Sequence, residues 1–174
     1  MQRLHTIFMK QIFLFFLLFI SACNSNTQKQ ILGKDSTNII IVQQDDDEMS
    51  AAISMAKSSL NQFDSALLSK KSRYNSFSLK VRFPYGDNSG EHIWLSDITK
   101  YKDEYMGIVN NEPEYVSTLK LYDTIKINKN NISDWMYLDK KILKGGFTIK
   151  LLRKRMSSGE RAQFDSTRFY ELEE

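Results

Sequence analysis

Few side chains in this sequence are suited to acid–base chemistry. The two histidines are His5, close to the N-terminus, and His92. A lone histidine in the body of the chain excludes His-pair zinc sites and cysteine–histidine catalysis from this chain alone, so we expect no metal and no cofactor. Glu91 precedes His92, but neighbouring residues of a strand point to opposite faces. A hydrolase-like enzyme or small-ligand binder would need the fold to join His92 to Asp134 or Glu91, whose carboxylate could orient the imidazole as a base.

Aromatic and amide side chains near these residues favour a binding surface, and no catalytic residue is assigned. His92 and Trp94 share one face of a predicted strand. They either line a ligand or peptide groove, or pack together with the imidazole bonded to a backbone carbonyl. Asp134 and Trp135 either join that surface, or cap a turn and fill the core. The polar loop at 110–113 is a further candidate, because loops often carry function. The candidate binding residues are Glu91, His92, Trp94, Asn111, Glu112, Asp134 and Trp135.

The N-terminal segment has the three parts of a secretory signal peptide. Arg3 and Lys10 supply positive charge, residues 12–20 (IFLFFLLFI) form an unbroken apolar run, and Ser21 and Ala22 are small residues next to a cleavage site. The run is shorter than the roughly 20 apolar residues that cross a bilayer. We therefore expect residues 1–22 to be a signal peptide that is removed.

Cys23 favours lipidation over ordinary secretion. The segment Ile20-Ser21-Ala22-Cys23 resembles the lipobox of bacterial lipoproteins. The resemblance implies cleavage before Cys23, a diacylglycerol on its sulfur and an acyl chain such as palmitate on the new N-terminus. Several acyl chains, at about 0.8 kcal/mol per buried CH₂, make a stable anchor. Because Asn24 is not an inner-membrane retention aspartate, we expect the protein at the cell envelope, on the periplasmic face of the outer membrane.

Charge and cysteine content limit the partners and the means of stabilisation. The chain has 24 basic and 21 acidic residues, and removal of the signal peptide leaves a nearly neutral protein. Nucleic-acid binding requires a clear basic excess, so we expect no nucleic-acid partner. Cys23 is the only cysteine, so no disulfide within the chain stabilises the fold. The expected partners are the membrane, through the lipid on Cys23, and an envelope protein or peptide.

The remaining chain divides into a tether and one domain. Residues 23–44 are mostly polar and predict a flexible lipidated tether, although the apolar run at 39–42 could also form an edge strand. Residues 45–174 are long enough for one domain with a real core. The first function hypothesis for it is a non-enzymatic module that binds a protein or peptide. A spacer between membrane and cell wall is a further alternative.

Residue periodicity predicts an α+β domain. Acidic residues at 45–48 followed by apolar residues at three- and four-residue steps predict an amphipathic helix that fades near Lys70. Five strands are predicted next, at 77–83, 91–98, 105–110, 121–127 and 132–138; the first alternates apolar residues inward with charged residues outward. Short helices follow Gly146, and Ser157 with Glu160 predicts a capping box on a helix that buries Phe164. We expect a curved antiparallel meander of about four to five strands between an N-terminal helix and C-terminal short helices.

Four short motifs occur in the chain in the same order as in a known family. They are EHIWL at 91–95, GIVNNEP at 107–113, ISDWMY at 132–137 and GGFT at 145–148. With them, the chain resembles the YegJ-like family of uncharacterised bacterial proteins from roughly residue 46 to 165. It departs from the family at Tyr122, where glycine is usual before Asp123, and at 158–159, where Pro-Glu is usual. The resemblance implies a compact α+β domain, often behind a signal or lipoprotein sequence, and brings no activity.

Overall fold

The computed structural model describes residues 46–173, so the predicted signal peptide, Cys23 and the tether lie outside the described residues. The elements in chain order are α1 (Asp47–Ser58), α2 (Leu60–Ser69), β1 (Tyr74–Tyr85), β2 (Ser89–Tyr101), β3 (Glu104–Val109), β4 (Thr124–Ile127), a 3₁₀ turn (Lys129–Asn131), β5 (Ile132–Asp139), β6 (Ile142–Gly145), α3 (Phe147–Arg155), α4 (Ser158–Thr167) and β7 (Glu171–Leu172). The α+β class expected from the sequence is confirmed.

The predicted N-terminal helix consists of two helices. α1 begins after Asp46, whose side chain accepts a hydrogen bond from the backbone N–H of Met49 at 2.9 Å. The helix ends at Ser58, and the Ser59 hydroxyl donates to the Met55 carbonyl oxygen at 2.6 Å. Serine competes in this way for helical backbone groups, and Ser59 is the single residue that separates α1 from α2. The apolar stripe of both helices faces the core.

The strands form one seven-stranded sheet in the order β4-β3-β2-β1-β5-β6-β7. Neighbouring strands are antiparallel except β6 and β7, which are parallel. The expected curved meander of four to five strands is therefore wrong. β5 returns to pair with the free side of β1 instead of continuing beside β4, and β6 and β7 are too short for a periodic signal.

The core lies between one face of this sheet and the first two helices. Leu79 and Val81 of β1 and Ile93 and Leu95 of β2 are fully buried there, together with Phe63 of α2. Because side chains alternate along a strand, the residues between them point to the opposite face. We call that opposite face the outer face of the sheet.

Two glycines connect the sheet to the C-terminal helices. Gly145 and Gly146 both have positive φ, at 73° and 63°, a region that glycine enters without strain. A Cβ on Gly145 would lie 2.2 Å from the carbonyl oxygen of Trp135, so the close approach of β6 to β5 also requires glycine. The capping box of Ser157 and Glu160 at the start of α4 is confirmed, while Phe164 is only half-buried.

Among residues 46–173, none of the helices is long and apolar enough to cross a membrane.

Candidate functional site

Asp134 is a buried helix cap. It is fully buried on β5, and its carboxylate faces the junction at which the chain leaves β6 and begins α3. Its Oδ1 accepts from the backbone N–H groups of Trp135 at 2.8 Å and Phe147 at 3.2 Å. Its Oδ2 accepts from the N–H of Thr148 at 2.8 Å and from the Thr148 hydroxyl at 2.7 Å. These bonds satisfy free N–H groups at the start of α3, so both carboxylate oxygens are occupied by the fold.

Lys80 is a second buried charge, joined to the first through a hydroxyl. Its side chain is fully buried in the centre of β1, although the alternation predicted that it would point to solvent. Its Nζ donates to the Thr148 Oγ1 at 3.3 Å and lies 5.6 Å from the ring centroid of Trp94. Burial lowers the pKa of Lys80 to about 8, against the opposite pull of Asp134. Burial likewise raises the pKa of Asp134. Thr148 therefore bridges two charges that depend on each other.

His92 is neutral and bonded to a serine. Its Nδ1 lies 2.8 Å from the Ser133 Oγ, which donates to the backbone oxygen of Lys80 at 3.2 Å. Because the Ser133 hydroxyl donates its proton to the Lys80 oxygen, it must accept from the imidazole. The Nδ1 atom of His92 therefore carries a hydrogen and is the donor. Burial first, then the positive charges of Lys80, Arg82 and Lys57, lower the pKa of His92 to about 4. His92 is therefore linked to the backbone carbonyl of Lys80 through the Ser133 hydroxyl. One of the sequence predictions was a direct hydrogen bond between the imidazole and a backbone carbonyl.

Glu91 and Asn111 position the loop that follows β3. The buried Glu91 carboxylate accepts three backbone N–H groups, from Glu114 at 2.8 Å, Tyr115 at 3.0 Å and Val116 at 3.1 Å. The Asn111 Oδ1 accepts from the backbone N–H of Trp94 at 2.8 Å, which extends the pairing of β2 beyond the end of β3. Both side chains hold the loop against the sheet.

The candidate residues do not gather in one cleft. His92, Trp94 and Asp134 share the outer face, where the register of the strands aligns Trp94, Lys80 and Asp134 in one row. Trp135 lies on the core face, and its Nε1 donates to the Ala56 carbonyl oxygen at 2.9 Å. Glu112 is exposed. Neither Asp134 nor Glu91 is hydrogen-bonded to His92, so the acid–base pairing considered from the sequence has no counterpart in this geometry.

Sequence reasoning missed Lys80, Thr148 and Ser133 as members of this network. The one available signal was Lys80 itself, a charged residue between two apolar neighbours in a strand that turned out to be central. Its burial depends on β5 pairing with β1, which no local pattern indicates. The network can stabilise the join between sheet and α3, but its ionisable groups are engaged with the fold.

A groove lies elsewhere, between α2 and the first residues of β1. Its volume is about 350 Å³, and Gln62, Lys71, Tyr74 and Tyr137 are among the residues that line it. None of the candidate binding residues lines this groove. Within the described part of the chain, no three His, Cys, Asp or Glu side chains converge as metal ligands.

Comparisons with known proteins agree with the motif pattern. A family model described as "Uncharacterized protein conserved in bacteria (DUF2314)" matches residues 46–170. An Escherichia coli (strain K12) protein described as "Uncharacterized protein YegJ" is 33% identical over 106 residues, which cover 60% of this chain and 67% of that relative. A Neisseria meningitidis serogroup B protein described as "Putative ankyrin repeat protein NMB1133/NMB1171" is 30% identical over 135 residues, or 74% of this chain and 53% of that relative. No solved structure matches the chain.

The matched region covers nearly all of the described domain and contains all four sequence motifs. It begins at the Asp46 cap of α1 and extends beyond α4. The resemblance predicted from the motifs is confirmed: this chain belongs to the DUF2314 family of uncharacterised bacterial proteins.

Proposed function

We propose that the chain is a lipid-anchored protein of the bacterial cell envelope whose domain binds an extended peptide segment of another protein. The observation that carries the binding role is an apolar strip on the outer face of the sheet, beside its β4 edge. The strip consists of Trp94, Tyr101, Met106 and Ile108. An apolar patch with polar neighbours is characteristic of protein-binding surfaces.

The alternation of β3 places this strip on the surface. Tyr105 and Val109 are buried in the core, whereas Met106 is 40% exposed and Ile108 is half-buried. Met106 pairs across the sheet with Thr99 and Lys126, and Ile108 pairs with Ser96 and Thr124. Small and polar neighbours leave the two apolar side chains accessible.

The neighbouring edge strand favours an extended partner. Among the described residues, β4 pairs with β3 alone, so its other side presents backbone N–H and C=O groups. An extended peptide could add to β4 through these groups and lay apolar side chains beside Met106.

The anchor would leave the domain free to reach such a partner. Residues 24–45 lie between Cys23 and the described domain. At roughly 3.3–3.6 Å per residue, a fully extended segment of this length spans at most about 80 Å. A partner attached to the envelope could therefore be met well away from the bilayer surface.

Two exposed methionines provide a matched test of the binding surface. Met106 on the strip is 40% exposed and Met55 on α1 is 53% exposed. A displayed library of random short peptides is selected against the full chain carrying Cys23→Ser. We expect the selected peptides to have alternating apolar residues and to lose at least tenfold in affinity, about 1.4 kcal/mol, on Met106→Lys but not on Met55→Lys. Equal loss in both variants, or none in either, would contradict the proposal.

The anchor is tested separately. Cells expressing the wild type or Cys23→Ser are grown with a clickable palmitate analogue, and membranes are separated from soluble protein. We expect a labelled wild type in the membrane fraction and a Cys23→Ser variant that carries no label. Label retained by the variant, or an unlabelled wild type, would contradict lipidation at Cys23 without bearing on the peptide surface.

A further inference from the structure

The groove between α2 and the start of β1 has two walls of different chemistry. Its volume of about 350 Å³ lies at the lower end of the range for small-molecule sites, about 300–1,000 Å³. The wall on α2 carries amide and hydroxyl side chains, whereas the wall on the sheet carries two tyrosine rings. Because the polar residues on α2 are exposed, the groove is open to solvent and a ligand can enter it.

The wall on α2 offers both donors and acceptors. Asn61, Ser65 and Ser69 follow one another at four-residue steps, which place their side chains on one side of the helix. Gln62 lines the groove beside them, and we call these four residues the α2 wall. The Ser65 hydroxyl donates to the Asn61 carbonyl oxygen at 2.8 Å, and the Ser69 hydroxyl donates to the Ala66 carbonyl oxygen at 2.7 Å. Both serine oxygens are therefore left as acceptors, while the two amides can donate and accept.

The wall on the sheet is aromatic. Tyr74 and Tyr137, which we call the sheet wall, pack edge to face with ring centroids 5.2 Å apart. Both residues are half-buried, so part of each ring remains open to the groove. Tyrosine combines an apolar ring with a hydroxyl that donates and accepts. The sheet wall can therefore pack against C–H groups and also form hydrogen bonds at its edge.

A lysine makes one end of the groove positive. Lys71 lines the groove, and its Nζ lies 5.8 Å from the ring centroid of Tyr74. Arg73 lies near the same ring, but it is paired with Asp139. No carboxylate is among the described residues that line the groove. A negatively charged group of a ligand would therefore be attracted by Lys71 and would meet no like charge on either wall.

We propose that this groove binds an acidic saccharide, with a sugar ring against the sheet wall, its hydroxyl groups on the α2 wall and its carboxylate at Lys71. A sugar ring presents C–H groups on its faces and hydroxyl groups around its rim, which is the division between the two walls. An apolar peptide would displace water from the α2 wall without replacing its hydrogen bonds. None of the residues of the apolar strip lines the groove, so saccharide binding does not depend on the peptide surface.

A glycan array tests the ligand class. The full chain carrying Cys23→Ser is applied to immobilised oligosaccharides that contain uronic or sialic acids, and to the same saccharides with their carboxyl groups reduced to alcohols. Bound protein is detected with an antibody. We expect saturable binding to at least one acidic saccharide, and binding to its reduced form that is weaker by about tenfold, as for a lost charged hydrogen bond. Binding to no acidic saccharide, or equal binding of both forms, would overturn the proposal.

Matched variants assign the binding to the groove. For the saccharide selected on the array, Lys71→Gln should weaken binding about tenfold and Gln62→Ala about fivefold, the losses expected for a charged and a neutral hydrogen bond. The controls are Lys70→Gln, at the exposed neighbour of Lys71 that does not line the groove, and Gln163→Ala, at an exposed glutamine of α4. Both controls should bind as the wild type does. Equal affinity in the groove variants and their controls would overturn the assignment.

Side-chain NMR signals locate the saccharide. The ¹⁵N-labelled chain carrying Cys23→Ser is titrated with the selected saccharide, and with sodium acetate at matched ionic strength. We expect saturable shifts of the Asn61 and Gln62 side-chain amide signals with the saccharide alone, and the same shifts in Met106→Lys, whose substitution lies on the apolar strip. Unchanged amide signals, or equal shifts with acetate, would overturn the placement of the sugar on the α2 wall.

Discussion

Lys80 and Asp134 are ionisable residues with almost no exposure, and each compensates the charge of the other through Thr148. Removing one partner of a buried charge pair leaves the other charge uncompensated, at about 3–5 kcal/mol. We expect Asp134→Asn to lower the free energy of unfolding by about this amount. In addition to the lost charge, the new amide N–H groups face the backbone N–H donors at the start of α3, with which they cannot form hydrogen bonds. Urea denaturation measures the loss.

A double variant separates the charge from the cap. Adding Lys80→Met to Asp134→Asn removes the uncompensated ammonium and leaves the asparagine oxygen able to accept at the start of α3. We expect the double variant to be more stable than Asp134→Asn alone. Strictly additive losses from the two substitutions would show that the buried charges do not compensate each other.

Tyr122 has a left-handed backbone at a turn where the family usually has glycine. Its φ is 71° and its side chain is 73% exposed. The left-handed region is unfavourable by about 1–2 kcal/mol for residues with a Cβ, and glycine loses about 0.5–1 kcal/mol through backbone entropy. We expect Tyr122→Gly to raise the free energy of unfolding by about 0.5–1 kcal/mol. The control is Tyr101→Gly, a 75% exposed tyrosine at the end of β2, where glycine should be destabilising; stabilisation by both would contradict the explanation.

At the scale of elements, Glu91 connects the sheet to the loop after β3. It accepts three backbone N–H groups, from residues 114–116. We expect Glu91→Gln to accelerate hydrogen exchange of these three amides by about tenfold, because a neutral amide oxygen accepts less strongly than a carboxylate. Amides in the centre of β1 should keep their protection. Glu112→Gln, at an exposed glutamate nearby, is the control, and equal acceleration in both variants would rule out this role.

The sequence predicted those helices and strands whose characteristic pattern is contained in a few neighbouring residues. Residues 77–83 show the alternation of β1, and the four residues from Ser157 to Glu160 contain the whole capping box. Sheet order was not predictable in this way, because β5 and β1 are distant in sequence and compatible with several partners. The same limit applies to the site. Lys80 alternates like a surface residue, and its burial follows only once β5 pairs with β1.

For the whole molecule, we expect the free energy of unfolding to depend on pH chiefly through His92. This dependence lies in the pH range between the pKa of His92 in the unfolded chain and its pKa in the folded chain. The pKa of His92 is lowered from 6.5 to about 4, mainly by burial. The unfolded chain therefore takes up a proton near pH 6.5, whereas the folded chain stays neutral to about pH 4. The free energy of unfolding should fall as pH decreases through this window, by about 3 kcal/mol in total.

The acidic residues act mostly outside this window. Asp46, whose pKa the Arg155 side chain lowers to about 2, stabilises the fold above the unfolded aspartate pKa of about 3.9, and this contribution is lost below it. Asp134 has a raised pKa, so its protonation stabilises the folded state as the pH falls, opposite to the effect of His92. This contribution is the same in the wild type and in a His92 variant. A difference between two proteins that differ only at position 92 therefore isolates the imidazole.

His92→Gln is the variant that makes this comparison. Glutamine has no charge at any of these pH values and can still donate to the Ser133 hydroxyl. We expect the wild type to lose about 2–3 kcal/mol between about pH 7 and about pH 4.5 relative to His92→Gln, because the wild-type unfolded state alone gains the extra proton. Urea denaturation at both pH values measures the two slopes. Parallel pH profiles would mean that His92 titrates alike in the folded and unfolded chain, which is incompatible with a neutral imidazole enclosed beside Lys80 and Ser133.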